Sequence, residues 1–158
     1  MKNATHKLIG IISDTHGLLR PEALNALNNA ELILHAGDIG NQQVLDTLQQ
    51  IAPVVAVRGN NDKGEWAESL AEWEVVEVDD VSIYMLHNVN EIEISPAGAG
   101  FHVVVSGHSH KPSIKEERGV LYVNPGSAGP RRFTLPVSLA HLHVREGKVE
   151  AKIVELAV

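Results

Sequence analysis

Residues with the chemistry of metal ligands recur in this chain wherever a short apolar run ends. In chain order these residues are Asp14 and His16, Asp38, Asn60, His87, and His108 and His110. Cysteine is absent, so any metal ion must be held by nitrogen and oxygen atoms. Imidazoles combined with carboxylates suit Mn, Fe, Ni, Co or Zn better than Ca or Mg, which prefer shells made only of oxygen. The set is too large for one tetrahedral ion and about right for two ions that share a bridging carboxylate.

The spacing within two of these groups also favours a shared site. Asp14-Thr15-His16 and His108-Ser109-His110 each place two potential ligands on one side of an extended segment, because side chains alternate along such a segment. His141 and His143 have the same spacing, but they lie inside an alternating run and away from any strand end. We interpret that second pair as part of a partly solvated strand face.

The apolar runs that precede the candidate ligands predict the strands that position them. In the first half of the chain three such runs, Leu8 to Ser13, Glu31 to His35 and Pro53 to Val57, alternate with two helix-like stretches. The first helix is predicted to begin near Pro21, and the second follows Asn41, whose side chain can cap it. This β-α-β-α-β order predicts a parallel sheet with helices on its faces.

The second half of the chain has a pattern of strands joined by turns. The predicted strands are Trp73 to Val78, Val81 to Leu86, His102 to Ser106, Ile114 to Glu117, Val120 to Val123, Val137 to Val144 and Val149 to Leu156, and Pro96 to Gly100 is predicted as a turn. The first two and the last two strands are expected to form antiparallel hairpins. We therefore expect a mixed α/β fold with a parallel first half, an antiparallel second half and two packed sheets flanked by helices. No linker or repeat interrupts the sequence, so residues 1–158 are expected to form one domain.

These elements would bring the polar residues to one edge of the molecule. In open α/β sheets, ligands bind outside the carboxyl ends of the strands, which is where each candidate residue falls. Glycines at the same strand ends, such as Gly37, Gly59 and Gly107, allow tight turns and a close approach of the backbone. The sequence therefore predicts a metal site on the loops along this edge.

Composition and charge exclude several classes of function. Thirteen basic and twenty acidic residues give a formal net charge of -7, which leaves no basic footprint for a nucleic-acid backbone. The polar segment Met1 to Lys7 and the short apolar run Leu8 to Ile12 do not make a secretory signal, and no stretch approaches the length of a membrane span. A cytoplasmic protein is expected, and a homo-oligomer is left open.

The candidate ligands, taken with their neighbours, resemble the motifs of a known family. The motifs are Ser13-Asp14-Thr15-His16-Gly17, Gly37-Asp38, Gly59-Asn60-Asn61-Asp62, His87, Gly107-His108-Ser109-His110 and Asn124-Pro125-Gly126-Ser127. Their order over nearly the whole chain resembles the calcineurin-like metallophosphoesterases, and within them the small bacterial and archaeal phosphodiesterases. The resemblance implies a two-sheet sandwich and an enzyme that hydrolyses small phosphodiesters through a dinuclear metal site and a bridging hydroxide.

The resemblance also implies a role for each candidate ligand. The residues that match the first metal position are Asp14, His16 and His110, and those that match the second are Asn60, His87 and His108. Asp38 matches the residue that bridges the two ions. Of these residues, Asp38, Asn60 and His108 are also expected to take part in catalysis. Manganese is the expected metal, with Ni, Co, Zn and Fe as alternatives.

Two positions depart from the family pattern. Many family phosphatases carry a histidine directly after the motif asparagine, where it assists the leaving group, and this chain carries Asn61. An amide has no usable proton-transfer pKa, so the source of the leaving-group proton is left open. Several members place glycine after the histidine of the fourth motif, whereas here the residue after His87 is Asn88.

Two alternative functions stay open on the sequence alone. The fold also serves as a binding scaffold with a degenerate site in a retromer subunit of the superfamily. Degenerate members usually lose a ligand, and every expected ligand position is filled here, which favours the enzyme. The other alternative is a phosphomonoesterase or a nucleotide pyrophosphohydrolase, which Asn61 makes the weaker choice.

Two pairs of residues outside the motifs have more than one interpretation. Arg131 and Arg132 could clamp a phosphate bidentately, although an arginine pair on a loop is usually solvated. Trp66 and Trp73 flank a glutamate-rich segment. We interpret these two indoles as core or oligomer contacts rather than as a platform for stacking bases.

Overall fold

The computed structural model describes residues 6–158 and arranges them in two five-stranded β-sheets with four short α-helices. The strands are β1 (His6–Ile12), β2 (Leu32–His35), β3 (Val54–Ala56), β4 (Trp73–Val78), β5 (Val81–Leu86), β6 (Val103–Val105), β7 (Ser113–Glu117), β8 (Val120–Asn124), β9 (Ser138–Arg145) and β10 (Lys148–Glu155). The helices are α1 (Pro21–Ala26), α2 (Gln42–Gln49), α3 (Glu65–Glu68) and α4 (Pro96–Ala99), with one 3-10 helix at Val89–Glu91. The expected mixed α/β fold with two sheets is confirmed. The predicted domain and the polar N-terminal segment also include residues 1–5, which lie outside the described residues.

The first sheet has the strand order β10-β9-β1-β2-β3. Strands β1, β2 and β3 run parallel, as the alternation of apolar runs and helices predicts. Helix α1 begins at Pro21, and α2 follows Asn41, whose side-chain oxygen accepts a hydrogen bond from the N–H of Val44 at 3.1 Å. The apolar sides of both helices bury the outer face of this sheet.

The second sheet has the strand order β4-β5-β6-β8-β7, and its strand directions correct one prediction. The pairs β4/β5 and β7/β8 are antiparallel, but β5, β6 and β8 run parallel to one another. The chain leaves β6 for the far edge, forms β7 there and returns as β8, so β8 has the same direction as β6. Because β6 is apolar throughout and buried, it has the pattern typical of a strand inside a parallel sheet. The expectation of an antiparallel second half was therefore wrong for the centre of this sheet.

Two further features complete the architecture. The predicted final hairpin forms, and it extends the first sheet because β9 pairs antiparallel with β1 in the register Ile9↔Leu142. The predicted turn at Pro96 to Gly100 is instead one helical turn, begun by Pro96 and ended by Gly100 with φ 86°. Within residues 6–158 no helix is long and apolar enough to cross a membrane.

The main hydrophobic core lies between the two sheets. Ile9, Ile11 and Leu34 of the first sheet belong to one buried cluster with Ile83 and Val105 of the second. Burying apolar side chains from both inner faces is the dominant favourable term in folding, so it fixes one sheet against the other. The carboxyl ends of β1, β2, β5 and β6 are thereby brought to a common edge, where their loops meet.

Candidate functional site

Backbone hydrogen bonds join the loops at this common edge. The N–H of Asp14 donates to the carbonyl of Gly37 at 3.0 Å, which connects the loops after β1 and β2. The N–H of Gly107 donates to the carbonyl of His87 at 2.9 Å, which connects the loops after β5 and β6. The N–H of His108 donates to Oδ2 of Asp14 at 3.1 Å, and this bond links the second sheet to the first. The predicted rim of strand-end loops is therefore present.

Two buried carboxylates lie at the centre of this rim. The exposed fractions of Asp14 and Asp38 are 0% and 3%. Oδ1 of Asp14 lies 3.8 Å from Nε2 of His16 and 3.9 Å from Nε2 of His87. Oδ2 of Asp38 lies 3.8 Å and 3.3 Å from the same two nitrogen atoms. Each carboxylate therefore lies between the same pair of imidazoles.

The remaining predicted residues join the same cluster. Nε2 of His110 lies 3.3 Å from Oδ1 of Asp14. Nδ1 of His108 lies 3.2 Å from Oδ1 of Asn60 and 3.3 Å from Nε2 of His87. The structure thus brings together all the residues predicted for the site, with two overlapping groups that could each hold an ion: Asp14, His16 and His110, and Asp14, Asp38 and His87. Asp14 is common to both groups, whereas the family resemblance implies bridging by Asp38.

Most of these residues have a backbone conformation that side-chain-bearing residues rarely adopt. The φ angles are 56° at Asp14, 47° at His16, 55° at Asp38, 71° at His108 and 63° at His110. A non-glycine residue in this left-handed region costs on the order of 1–3 kcal/mol and persists only where the surrounding structure imposes it. The inter-loop hydrogen bonds supply that constraint, so backbone strain is stored at the candidate ligands.

Two glycines make room for the two carboxylates. A Cβ at Gly59 would overlap the backbone nitrogen and the carboxylate of Asp38. A Cβ at Gly107 would overlap the hydroxyl of Ser13 and crowd Oδ2 of Asp14. Only glycine allows such a close approach of one loop to the next, and this is why the motifs place glycine at these strand ends.

The electrostatics of the cluster keep both carboxylates ionised. Burial raises the pKa of Asp14, but the imidazole of His110 3.3 Å away and the hydrogen bond from Ser13 outweigh it, and the pKa lies below its ordinary value. Burial also opposes ionisation of Asp38, yet hydrogen bonds from His87 and from the backbone of Asn61 hold its pKa well below the usual range. Two ionised carboxylates in a buried cluster favour a cation between the imidazoles.

A backbone carbonyl sets the orientation of His87. Its Nδ1 donates to the carbonyl oxygen of Ala36 at 2.7 Å, so its Nε2 faces Asp38. Burial lowers the pKa of His87, but hydrogen bonding to Asp38 and the charge of Asp14 raise it above its ordinary value. Metal-binding histidines usually donate their second ring N–H in this way, which fixes the tautomer that offers Nε2.

Unpartnered buried atoms test whether metal ions fit this site. Among residues 6–158, the buried side-chain atoms without a hydrogen-bond partner are Oδ1 of Asp14, Nε2 of His16 and Nδ1 of His110. Buried polar atoms are nearly always paired, so three exceptions in one cluster require an explanation. Carboxylate oxygen and imidazole nitrogen are ligands for first-row divalent metals. The donor set fits such ions.

A buried histidine outside the candidate ligands ties two of the loops together. The N–H of Gly37 donates to Nδ1 of His35 at 3.2 Å, which leaves the ring proton on Nε2. Nε2 donates to the hydroxyl of Thr15 at 3.0 Å, and that hydroxyl donates to the carbonyl of Ile39 at 2.8 Å. Burial lowers the pKa of His35 to about 4, so the ring is neutral at physiological pH.

The two residues after Asn60 have supporting roles that the sequence analysis did not assign. Asn61 donates to Asp38 twice, from its backbone N–H to Oδ1 at 2.9 Å and from its side-chain amide to Oδ2 at 3.0 Å. The buried carboxylate of Asp62 accepts from the N–H groups of Ile39, Gly40 and Gly59 at 3.2, 3.0 and 2.9 Å. The sequence feature that could have indicated these roles is the position of both residues in the motif Gly59-Asn60-Asn61-Asp62, directly after a strand end.

A cavity of about 1200 Å³ opens beside His87 and His108. Arg58, Trp73 and Tyr84 line it, although none of them was predicted at the site from the sequence. Trp73 is 55% exposed, so the interpretation of Trp73 as a core residue was wrong.

The phosphate clamp suggested for Arg131 and Arg132 receives no support from the contacts of Arg131. Its guanidinium donates to the backbone carbonyls of Leu135 and Val158, each at 3.3 Å.

A model of the calcineurin-like phosphoesterase superfamily domain matches residues 8–147. The chain belongs to this superfamily. The resemblance inferred from the motifs is thus confirmed, and this metallophosphoesterase is a hydrolase.

Relatives and solved structures agree with this assignment. The chain is 36% identical to a probable metallophosphoesterase of Methanocaldococcus jannaschii, in an alignment that covers 94% of this chain and 81% of the relative. It shares 26% identity and a TM-score of 0.77 with the structure of a novel archaeal phosphodiesterase, over 93% of this chain and 99% of that one. Vps29 of Entamoeba histolytica in complex with Zn²⁺ has a TM-score of 0.70 at 24% identity, over 94% of this chain and 98% of that one. That last likeness extends to the fold alone.

Proposed function

We propose that this metallophosphoesterase is a phosphodiesterase whose whole chain forms one domain, with two divalent metal ions at the common edge of its sheets. The observation that supports this most directly is the pair of buried carboxylates between His16 and His87. Oδ1 of Asp14 and Nε2 of His16 are buried there without hydrogen-bond partners. Two cations beside these groups would satisfy atoms that the protein itself leaves unpaired.

The proposed division of ligands follows the family motifs and agrees with the distances. Asp14, His16 and His110 would hold one ion, and their ligand atoms lie within 4.8 Å of one another. Asn60, His87 and His108 would hold the other, and Nδ1 of His108 contacts both Oδ1 of Asn60 and Nε2 of His87. Asp38 would bridge the two positions, because its Oδ2 lies between His16 and His87.

The charge of the site explains how an acidic protein attracts a phosphate. Two divalent ions beside two carboxylates would leave a local charge of roughly +2, which is the largest charge that an approaching phosphate meets. When bound, the ions neutralise the phosphoryl oxygens and lower the pKa of a water molecule enough to provide hydroxide near neutral pH. Manganese is the ion we propose, since the ligand set mixes imidazole with carboxylate and amide oxygen.

The protein residues position the substrate and the carboxylates. Asn60 and His108 are exposed and line the cavity, so they can donate to a phosphoryl oxygen of a substrate that enters from it. Asp38 is fixed at both oxygens by Asn61 and therefore does not have to reorganise when a cation binds. This arrangement pre-organises the site for charge that develops on phosphorus-bound oxygen.

A diester is the substrate class we favour over a monoester. The position after Asn60 carries an amide that is occupied with Asp38, so it supplies no proton to a departing alkoxide. The structural neighbour described as a phosphodiesterase supports the same choice. The cavity of about 1200 Å³ has room for a small diester.

We also propose that the protein is cytoplasmic.

A metal and substrate screen tests the proposal. Metal-stripped protein is supplied in turn with Mn, Ni, Co, Zn and Mg and assayed with bis(p-nitrophenyl) phosphate, p-nitrophenyl phosphate and a cyclic nucleotide. We expect turnover of the diester with Mn and little with Mg, because Mg prefers oxygen ligands and sheds water reluctantly. Full turnover by the stripped protein, or preference for the monoester, would contradict the proposal.

The two His-x-His pairs provide a matched control. His110→Ala removes a proposed ligand from the first pair. His143→Ala removes a half-buried histidine of β9 from the equivalent position of the second pair, His141 and His143. We expect loss of metal-dependent turnover only in the first variant. A wild-type protein that binds Mn without hydrolysing any phosphoester would instead favour the binding scaffold of the same fold.

A further inference from the structure

The cavity beside His87 and His108 has a second wall that the proposed chemistry does not use. Trp73 of β4 and Tyr84 of β5 line it, together with Asn60, His87 and His108 of the candidate metal site. Trp73 pairs in register with Leu86, the residue directly before His87. An exposed aromatic surface is therefore continuous with the position where the phosphate would react.

The aromatic wall is a rigid surface. The rings of Trp73 and Tyr84 are stacked, with centroids 5.7 Å apart and an interplanar angle of 18°. Tyr84 is buried and packs edge-to-face on Phe101, with centroids 5.3 Å apart. Trp73 is 55% exposed, so one face of this stack is free to accept another ring. Offset stacking between aromatic rings adds to the stabilisation that area burial alone provides.

The charges around the wall limit what can bind there. Arg58 is the cationic residue that lines the cavity, and it lies 3.4 Å from Glu72. Glu91 and Glu93 line the same cavity and are both exposed. Burial and the nearby Glu93 raise the pKa of Tyr84, so its hydroxyl remains protonated. These glutamate carboxylates would repel a nucleic-acid strand that carries further phosphates. A neutral ring with N–H groups could instead donate hydrogen bonds to them.

From the position and the charges of this wall we propose that Trp73 and Tyr84 form a stacking site for one nucleobase of the substrate. The substrate class is then a phosphodiester with a nucleoside as one ester group and a single phosphate. This inference rests on the proposed phosphodiesterase function and adds a specificity-determining residue to it. Trp73 would act on binding of the base and not on the reacting phosphate.

The alternative occupant of an exposed tryptophan on an edge strand is a second copy of this chain. Two observations favour the substrate instead. Trp73 lines the same cavity as Asn60, His87 and His108, so a ligand whose phosphate lies at the candidate metal site can reach its ring. The wall is flanked by Glu72, Glu91 and Glu93, and a symmetric contact would bring like charges together.

The test compares two monophosphates that differ only in the base. Adenosine 5′-monophosphate and ribose 5-phosphate are titrated into Mn-loaded protein by calorimetry, with wild type, Trp73→Ala, Trp73→Phe and Phe133→Ala. Phe133 is the matched control, because it is 87% exposed and does not line the cavity. We expect Trp73→Ala to weaken adenosine 5′-monophosphate binding by about 5- to 100-fold, with ribose 5-phosphate unchanged within about twofold. Trp73→Phe should retain most of the affinity, and Phe133→Ala all of it.

Each other outcome overturns the inference. Equal affinity of the wild type for the two ligands, or no binding of the adenosine compound, shows that no base is stacked. A fall in molecular mass from dimer to monomer in Trp73→Ala assigns the residue to an interface. The same preparations are also assayed for hydrolysis of bis(p-nitrophenyl) phosphate. If they hydrolyse it but do not bind the base, only the stacking site is ruled out. If they do not hydrolyse it, the proposed phosphodiesterase function fails as well.

Discussion

Oδ2 of Asp38 accepts a hydrogen bond from the side-chain amide of Asn61 at 3.0 Å, and Oδ1 accepts from the backbone N–H of the same residue at 2.9 Å. The position that carries a histidine in many relatives is therefore used here to orient the carboxylate proposed to bridge two ions. Groups that orient a ligand typically account for about 10- to 100-fold in metal affinity or activity. Asn61 thus orients Asp38, a role that the family motifs alone did not indicate.

The same relationship predicts a leaving-group preference. The wild type should hydrolyse aryl diesters, whose phenolate leaves unaided, much faster than alkyl diesters, whose alkoxide needs a proton. Asn61→His introduces a donor with a pKa near 6.5 and retains the backbone bond to Asp38. Because the amide bond to Asp38 is lost in this variant, we expect the ratio of alkyl to aryl turnover, rather than either rate alone, to rise by roughly 10- to 1000-fold.

A second variant separates proton donation from support of Asp38. Asn61→Ala loses the amide bond without adding a donor, so it should slow both substrate types alike. If the wild type is already fast on alkyl diesters and histidine brings no gain, the proton comes from another group.

Substitution of Asp38 should cost more activity than substitution of His87. Oδ2 of Asp38 lies 3.8 Å from His16 and 3.3 Å from His87, so its loss affects both proposed ion positions, whereas water can replace one terminal imidazole. At saturating Mn we expect kcat on an aryl diester to fall about tenfold further in Asp38→Ala than in His87→Ala, a difference of about 1.4 kcal/mol. Equal losses would show that the bridging role belongs elsewhere, and Asp14→Ala is then the variant to compare.

Asp62 should contribute to stability rather than to chemistry. Its carboxylate satisfies three backbone N–H groups in the loops after β2 and β3. Asp62→Ala leaves these donors unpaired, and we expect the free energy of unfolding to fall by about 3 kcal/mol in urea titrations of metal-free protein. Asp46→Ala, at an exposed carboxylate that contacts Gln42, is the control and should change stability by less than about 0.5 kcal/mol. Similar losses in both variants would rule out the structural role assigned to Asp62.

His35 should make the folded protein less stable in mild acid. Its pKa is about 4 in the folded state against an ordinary value of 6.5, so between these two pH values the unfolded chain binds more protons than the folded one. Stability should therefore fall as the pH falls from 6.5 to 4, by up to about 3 kcal/mol from this residue. His35→Gln lacks the titrating group, so the stability difference between wild type and variant should shrink over that range in metal-free protein. Parallel pH profiles for the two proteins would contradict this account.

The positions of the candidate ligands could be predicted because strand ends are encoded locally. A buried strand is a short apolar run, and the first polar residues after it must lie on a loop at the end of the sheet. Asp14, Asp38 and His87 were therefore predicted to lie on the same rim, and the structure brings them together there. The helix cap at Asn41 was predictable for the same reason, since capping depends only on the residues of the first turn.

Features that depend on distant partners were not predictable from local patterns. The apolar pattern of β6 indicates burial on both faces, but it does not indicate which strands pair with it or in which direction. The hydrogen bonds of Asn61 and Asp62 depend on how closely two loops approach, which one sequence does not record. Trp73 is apolar and was interpreted as a core or oligomer contact, yet its side of the edge strand faces a cavity.

The contacts of Ser127 and Ala128 with the loop after β1 have a consequence for how the site is assembled during synthesis. The loop that carries Asp14 is held by chain made much later: the hydroxyl of Ser127 donates to the carbonyl of Asp14 at 3.0 Å, and the N–H of Ala128 donates to that of Ser13 at 3.1 Å. A chain emerging from the ribosome therefore has its first candidate ligand long before the residues that fix that ligand's loop. The loop that carries Asp14 can therefore reach its final geometry only after residues 127 and 128 have been synthesised, because these contacts join parts of the chain that are far apart in sequence.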